Sequence, residues 1–73
     1  MNIGRLVMMA NQIAAFYRRK PQAEAAEAIA DHLRKYWDPR MRSTIIAHAQ
    51  SGGAGLEPAT LAAIRALHID EHA

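Results

Sequence analysis

Proline and glycine residues divide this chain into four segments, and that division limits its fold more than any other feature. Pro21 separates the first two segments, Asp38-Pro39 the second from the third, and Gly52-Gly53-Ala54-Gly55 with Pro58 the third from the fourth. Each segment carries apolar residues three and four positions apart, the spacing of an amphipathic helix. The pattern therefore predicts an all-α protein, a small four-helix bundle with short connections, with helices over about residues 3–19, 22–36, 39–51 and 58–68.

Local signals also predict where these helices begin and end. Asn2 and Asp38 are suited to cap the first and third helices, and Pro39 is suited to the first helical position after its cap. The cations of residues 18–20 are expected to close the first helix, where the helix dipole is negative. One glycine of Gly52-Gly53 is expected to take the left-handed conformation that ends the third helix, and residues 69–73 are expected to fray.

A chain this short gains stability from binding a partner. A chain of 73 residues predicts one domain over residues 1–73, and a domain of this size buries only about 60% of its unfolded surface. The sequence has no cysteine, so disulfides and thiolate ligands for zinc or iron–sulfur clusters are excluded. The apolar stripes predict a core made of Leu6, Ile13, Ile29, Leu33, Trp37, Met41, Ile45, Leu61 and Ile64.

No residue pattern indicates an active site, so we predict no catalytic, cofactor-binding or metal-binding residue. His68 and His72 have the spacing of a two-histidine metal site only if the last helix persists, and no third ligand is evident. His48 lies on an apolar stripe, which favours a core or interface histidine with one hydrogen-bonded nitrogen. The glycines of residues 52–55 lack the Lys-Ser/Thr of a phosphate-binding loop, which favours a helix cap.

Charge disfavours nucleic acid as the partner without excluding it. Basic residues flank Tyr36 and Trp37, as in proteins that stack on bases and contact phosphates. Acids interrupt this patch, however, and the net charge is only +2. No signal peptide and no apolar run of about 20 residues is visible, so we expect a cytoplasmic protein without membrane association.

More apolar residues are present than one core needs, which favours a protein interface. Met8, Met9, Phe16 and Ile46 lie beside or away from the main stripes. Tryptophan and arginine are enriched at interface hot spots. We therefore predict that the partner docks at the corner between the second and third helices, formed by Trp37, Arg40 and Met41 and extended by Arg42 and Ile46. In the alternative interpretation Trp37 is internal, and Asp38 holds Arg40 or Arg42 locally.

An ordered set of motifs adds a family resemblance. The chain reads Trp37-Asp38-Pro39-Arg40-Met41, followed by Gly52-Gly53-Ala54-Gly55-Leu56 and Pro58. Upstream it reads Arg5-Leu6-Val7 and Met9-Ala10-Asn11-Gln12-Ile13. Together, over about residues 5–67, these motifs resemble the delta subunit of the NAD-dependent, molybdenum-containing formate dehydrogenase.

This resemblance implies an accessory subunit with no catalytic residue of its own. The other subunits of such a complex resemble parts of respiratory complex I, carry molybdopterin, iron–sulfur clusters and flavin, and couple formate oxidation to NAD reduction. The implied partner is the large catalytic subunit, and the implied role is to assemble or stabilise the complex. Two alternatives stay open: a small helical nucleic-acid-binding protein, and a module that self-associates as a homo-oligomer.

Overall fold

Four α-helices account for most of the chain in the computed structural model, which describes residues 2–72 and the side chains of residues 2–69. α1 spans Ile3–Ala15, α2 spans Gln22–Tyr36, α3 spans Pro39–Gln50 and α4 spans Pro58–His72. The described residues contain no strand, and the predicted all-α bundle is confirmed. None of the helices found within residues 2–72 has the length and apolar character needed to cross a membrane.

Both predicted N-caps are confirmed. The Asn2 Oδ1 atom accepts a hydrogen bond from the Arg5 backbone N–H at 3.3 Å, ahead of α1. The Asp38 Oδ1 atom accepts one from the Met41 N–H at 2.9 Å, and Pro39 is the first residue of α3. Each cap satisfies a backbone donor that the first helical turn leaves unpaired, a contribution of about 1 kcal/mol.

Glycines with positive φ angles end α3; the sequence predicts this conformation for one glycine of the Gly52-Gly53 pair, and the structure shows it for both. Gly52 and Gly53 have φ angles of 114° and 65°. The Gly52 N–H donates to the Ala49 carbonyl at 3.2 Å, and the Gly53 N–H donates to the His48 carbonyl at 3.0 Å. These two bonds form a Schellman motif. Gly53 also packs closely, since a Cβ atom there would lie 2.9 Å from Leu61 Cδ1.

Two helix ends differ from prediction. α1 ends at Ala15, not near residue 19, and residues 16–20 form turns in which Phe16 and Tyr17 bond to carbonyls only three residues back. Pro21 restricts only Lys20 directly before it, and nothing in the structure explains why α1 ends as early as Ala15. α4 continues to His72 instead of ending near residue 68, since neither glycine nor proline interrupts it after Pro58. α4 therefore extends four residues beyond its predicted end. Fraying of residues 69–73 stays a prediction, and Ala73 lies outside the described residues.

The core lies where α2 and α4 pack together, with α1 and α3 completing it. Both helices bury small side chains, such as Ala30 on α2 and Ala63 on α4. The predicted core is confirmed for seven of its nine residues, and the exceptions, Met41 and Leu61, are half-buried at its edge. The buried members of the prediction are Leu6, Ile13, Ile29, Leu33, Trp37, Ile45 and Ile64.

Candidate docking surface

The corner between α2 and α3 is a helix joint whose polar groups satisfy helix ends. Trp37 is only 6% exposed and packs in the core, as the alternative interpretation of the sequence holds. The Asp38 side chain caps α3. Arg42 Nη1 donates hydrogen bonds to the carbonyl oxygens of Arg34, at 3.3 Å, and of Trp37. The positive charge of Arg42 at these carbonyls stabilises the negative end of the α2 dipole.

Little of the predicted docking corner remains at the surface. Ile46 is 6% exposed, so its expected place on the surface was wrong. α3 packs against both α1 and α4, and adjacent residues such as Ile45 and Ile46 are therefore both buried. Arg40 is exposed, and Met41 and Arg42 are half-buried. Whether these three residues contact a partner stays a prediction.

A hydrogen-bonded clamp holds the α3–α4 connection against α1. The Asn11 side-chain N–H donates to the Gly55 carbonyl at 2.8 Å, and the Glu57 N–H donates to Asn11 Oδ1 at 3.1 Å. His48 Nε2 lies 2.8 Å from the Ala54 carbonyl oxygen, so this nitrogen carries the proton. The prediction that His48 has one hydrogen-bonded nitrogen is confirmed. The bonds of Asn11 join the motif of residues 9–13 to the glycine-rich motif of residues 52–56.

The described residues do not bring together a metal site. α4 persists through His72, which meets the spacing condition for His68 and His72, but the His72 side chain lies outside the described part. His68 Nε2 lies 3.2 Å from the Gln50 side-chain nitrogen. Among the side chains that the structure describes, no three His, Asp or Glu residues lie close enough to hold a metal ion. The absence of a cofactor from this chain stays a prediction.

A different surface exposes large apolar side chains. The outer face of α1, defined by Arg5, Met8, Met9, Gln12 and the C-cap residue Phe16, is turned away from the buried residues of α1, although Met9 at its edge also packs against the core. Phe16 is 85% exposed and Met8 is 54% exposed, while Met9 is half-buried. The excess of apolar residues on α1 was visible in the sequence, although the docking site was predicted elsewhere.

Unpaired positive charge adjoins this face. The basic turn, residues 18–20, exposes two arginines and a lysine, and no described side chain forms an ion pair with them. The first acidic residue of the chain is Glu24. On α2, by contrast, Asp31 pairs with Lys35 at 3.0 Å and with Arg34 at 3.6 Å. The hydrogen bond and negative charge of Asp31 raise the pKa of Lys35.

A shallow groove runs beside the outer face of α1. Its volume is about 450 Å³, and Met8 and Arg18 are among the residues that line it. Gly4 and Ala15 also line the groove. The surface thus combines exposed apolar side chains, a groove that Glu57 also lines, and cations that have no ion-pair partner among the described side chains. Apolar side chains surrounded by polar and charged ones are the arrangement of a protein interface.

Comparison with known families identifies the chain. The family model for the NADH-dependent formate dehydrogenase delta subunit, FdsD, matches residues 5–64. The chain belongs to this family. No curated protein and no solved structure matches the chain.

The FdsD-matched residues include those that build the frame of the bundle. The matched range contains the helix joint at Trp37 and Asp38, the Asn11 clamp and the Gly53 turn. It also contains the whole outer face of α1 and the basic turn. The motifs that carry the resemblance in the middle of the chain therefore act in folding, and the surface beside them remains available for binding.

Proposed function

We propose that this FdsD-family chain is a non-catalytic accessory subunit that assembles or stabilises a formate dehydrogenase complex by protein–protein contact. The proposed partner is the large catalytic subunit. Membership of a delta-subunit family supports a place in such a complex. The observation that carries the proposed mode of action is the 85% exposure of Phe16, because an apolar side chain of this size is stabilised by burial against a partner.

In this proposal the chemistry resides in the other subunits. They are expected to carry molybdopterin, iron–sulfur clusters and flavin, and to couple formate oxidation to NAD reduction. The present chain supplies a rigid helical surface, held by the Asn11 clamp and the Asp38 cap. Arg40, exposed at the corner between α2 and α3, is retained as a contact at the edge of the interface.

The test compares the complex prepared with and without this chain. A tagged chain should co-purify with the large catalytic subunit, and its removal should lower the amount of assembled complex and the formate-dependent NAD reduction. The isolated chain should show no such reduction. Full assembly without the chain, together with no co-purification, would contradict the accessory role, and formate oxidation by the isolated chain would contradict its non-catalytic character.

A further inference from the structure

We propose that the outer face of α1 and the basic turn form the docking surface, and that the occupant is an acidic protein surface with an apolar socket for Phe16. This inference rests on the proposed function, since it places the occupant on another subunit of the same complex. It assigns the main contact to α1 instead of the predicted corner between α2 and α3. Three features carry it: exposed apolar side chains, unpaired charge of one sign, and the groove beside Met8.

The apolar part of the surface consists of two large exposed side chains, Phe16 and Met8. Phe16 stands at the end of α1 with 85% of its surface exposed, and Met8 lies two turns earlier with 54% exposed. Single exposed apolar residues are common, but these two belong to one helix face with half-buried Met9 between them. A rigid aromatic side chain that enters a partner's pocket is a typical interface hot spot.

The charge of this surface selects an acidic partner. Of the nine Lys and Arg residues, four lie within residues 1–20 and five beyond, while all seven acids lie beyond residue 20. The first segment therefore carries a side-chain charge of +4 and the remainder −2. No described side chain pairs with Arg5 or with the basic turn. An acidic surface would complement this charge and raise the rate of association.

A second copy of the chain fits this surface poorly. A symmetric dimer through the outer face of α1 would place the same four cations opposite one another. Like charges across an interface oppose association. The charge pattern therefore favours a different protein over self-association.

Nucleic acid and anionic lipid also fit less well. Cations that follow a nucleic-acid backbone are spread along a groove, whereas three of these four lie together in residues 18–20. A helix that lies in a membrane presents a broad apolar face, but the broad apolar face of α1 is buried in the core. The exposed side combines Met8 and Phe16 with Arg5 and Gln12.

The first experiment places a photo-crosslinking amino acid at position 16 and, as a control, at Tyr36, which is 73% exposed on α2. The complex is assembled with each variant, irradiated, and the crosslinked peptides are identified by mass spectrometry. Position 16 should crosslink to a segment of another formate dehydrogenase subunit that combines acidic and apolar residues, and position 36, beside the edge contact proposed for Arg40, should crosslink to that segment far less. A basic segment, or a second copy of the chain, at position 16 would overturn the assignment.

The second experiment measures affinity for the large catalytic subunit. Phe16→Ser should weaken association at least about tenfold, whereas Tyr36→Ser should change it by less than about threefold. The double variant Arg18→Glu and Arg19→Glu should also weaken association about tenfold. Its affinity should depend less on salt concentration between about 50 and 500 mM than that of the wild-type chain. Arg65→Glu on α4 serves as the control for a change of charge elsewhere. Circular dichroism and urea unfolding should show that all four variants retain the fold.

The outcomes separate this inference from the proposed function. If the wild-type chain binds the large subunit and the Phe16 and Arg18/Arg19 variants bind equally well, the docking surface is wrong and the accessory role stands. If the wild-type chain binds no formate dehydrogenase subunit, both proposals fail. Tight binding of duplex DNA or phosphatidylglycerol vesicles that is lost in the Arg18/Arg19 variant, without subunit binding, would assign the surface to phosphate groups instead.

Discussion

The corner between α2 and α3 and the outer face of α1 contain similar residue types but place them differently. The corner has a tryptophan, a methionine and arginines, and the structure buries Trp37 and directs Arg42 to backbone carbonyls of α2. The outer face of α1 has a phenylalanine, methionines and an arginine, and it leaves Phe16 and Met8 exposed. Residue types that are common at interfaces are thus equally suited to joining two helices within one chain.

The position of each region relative to helix ends explains the difference. The corner lies where α2 ends and α3 begins, so it must satisfy unpaired carbonyls and N–H groups of both helices. Asp38 and Arg42 perform this role. Phe16 also follows a helix, but the backbone N–H groups of Phe16 and Tyr17 donate to the last carbonyls of α1, so backbone groups and not side chains satisfy this helix end. The side chains of the outer face of α1 are therefore free to bind another molecule.

The largest effect that distinguishes the two regions is expected at the aromatic residues. Trp37→Ala should lower the free energy of unfolding of the isolated chain by about 3–5 kcal/mol, because it leaves a cavity in the core. Phe16→Ala should change it by less than about 0.5 kcal/mol, because the side chain is exposed. Urea unfolding of both variants tests this, and equal losses would contradict the distinction.

A smaller effect is expected at the two arginines of the corner. Arg42→Met keeps an apolar stem but removes the donors to the α2 carbonyls, so it should cost about 1–3 kcal/mol of unfolding free energy. Arg40→Met should cost less than about 0.5 kcal/mol, because Arg40 is exposed. Thermal and urea unfolding of this matched pair provide the measurement. A stable Arg42→Met variant would return Arg42 to the set of side chains available for docking.

Within α1, the inner clamp and the outer face should also differ. Asn11→Ala removes two hydrogen bonds to the α3–α4 connection and should cost about 1–2 kcal/mol in unfolding free energy. Gln12→Ala serves as the control because Gln12 is the next residue and is exposed. It should leave the unfolding free energy unchanged. Amide hydrogen exchange should show faster exchange of the Glu57 N–H in the Asn11 variant alone. Unchanged exchange there would contradict the clamp.

The smallest effect concerns paired cations, which contrast with the unpaired ones of the basic turn. Asp31 raises the pKa of Lys35 in the folded state. The pair therefore stabilises the fold below the ordinary pKa of lysine, and this stabilisation is lost as the pH rises through the folded-state pKa. Because Lys35 is exposed and screened by solvent, Lys35→Met should be nearly neutral at pH 7. Unfolding free energies of both proteins between pH 7 and pH 11 test this, and a loss as large as that of Arg42→Met would contradict it.

Sequence periodicity and capping residues predicted the helices and most of the core because both depend on local spacing. Asn2, Asp38 and the Gly52-Gly53 pair act through residues a few positions away, so their roles could be predicted. The burial of Ile46 could not, because it depends on α3 packing against two helices at once. Asn11 forms hydrogen bonds with Gly55 and Glu57, which lie 44 and 46 positions further along the chain. At this separation the sequence pattern gives no signal.

The candidate docking surface was only partly predictable for the same reason. The excess of apolar residues on α1 and the absence of acids before Glu24 are visible in the sequence. The choice between Trp37 and Phe16 as the exposed aromatic required the tertiary structure, because both residues follow a helix and lie near cations. A helix joint and a docking surface therefore differ in packing and not in composition.

The most direct test measures the affinity of Phe16→Ser and Arg40→Ala chains for the large catalytic subunit in one experiment. Both variants should retain the wild-type unfolding free energy. Phe16→Ser should weaken association at least about tenfold and Arg40→Ala less than about threefold, since charges at the edge of an interface contribute little. A large loss for Arg40→Ala with normal binding by Phe16→Ser would contradict docking through the outer face of α1 and assign it to the corner between α2 and α3.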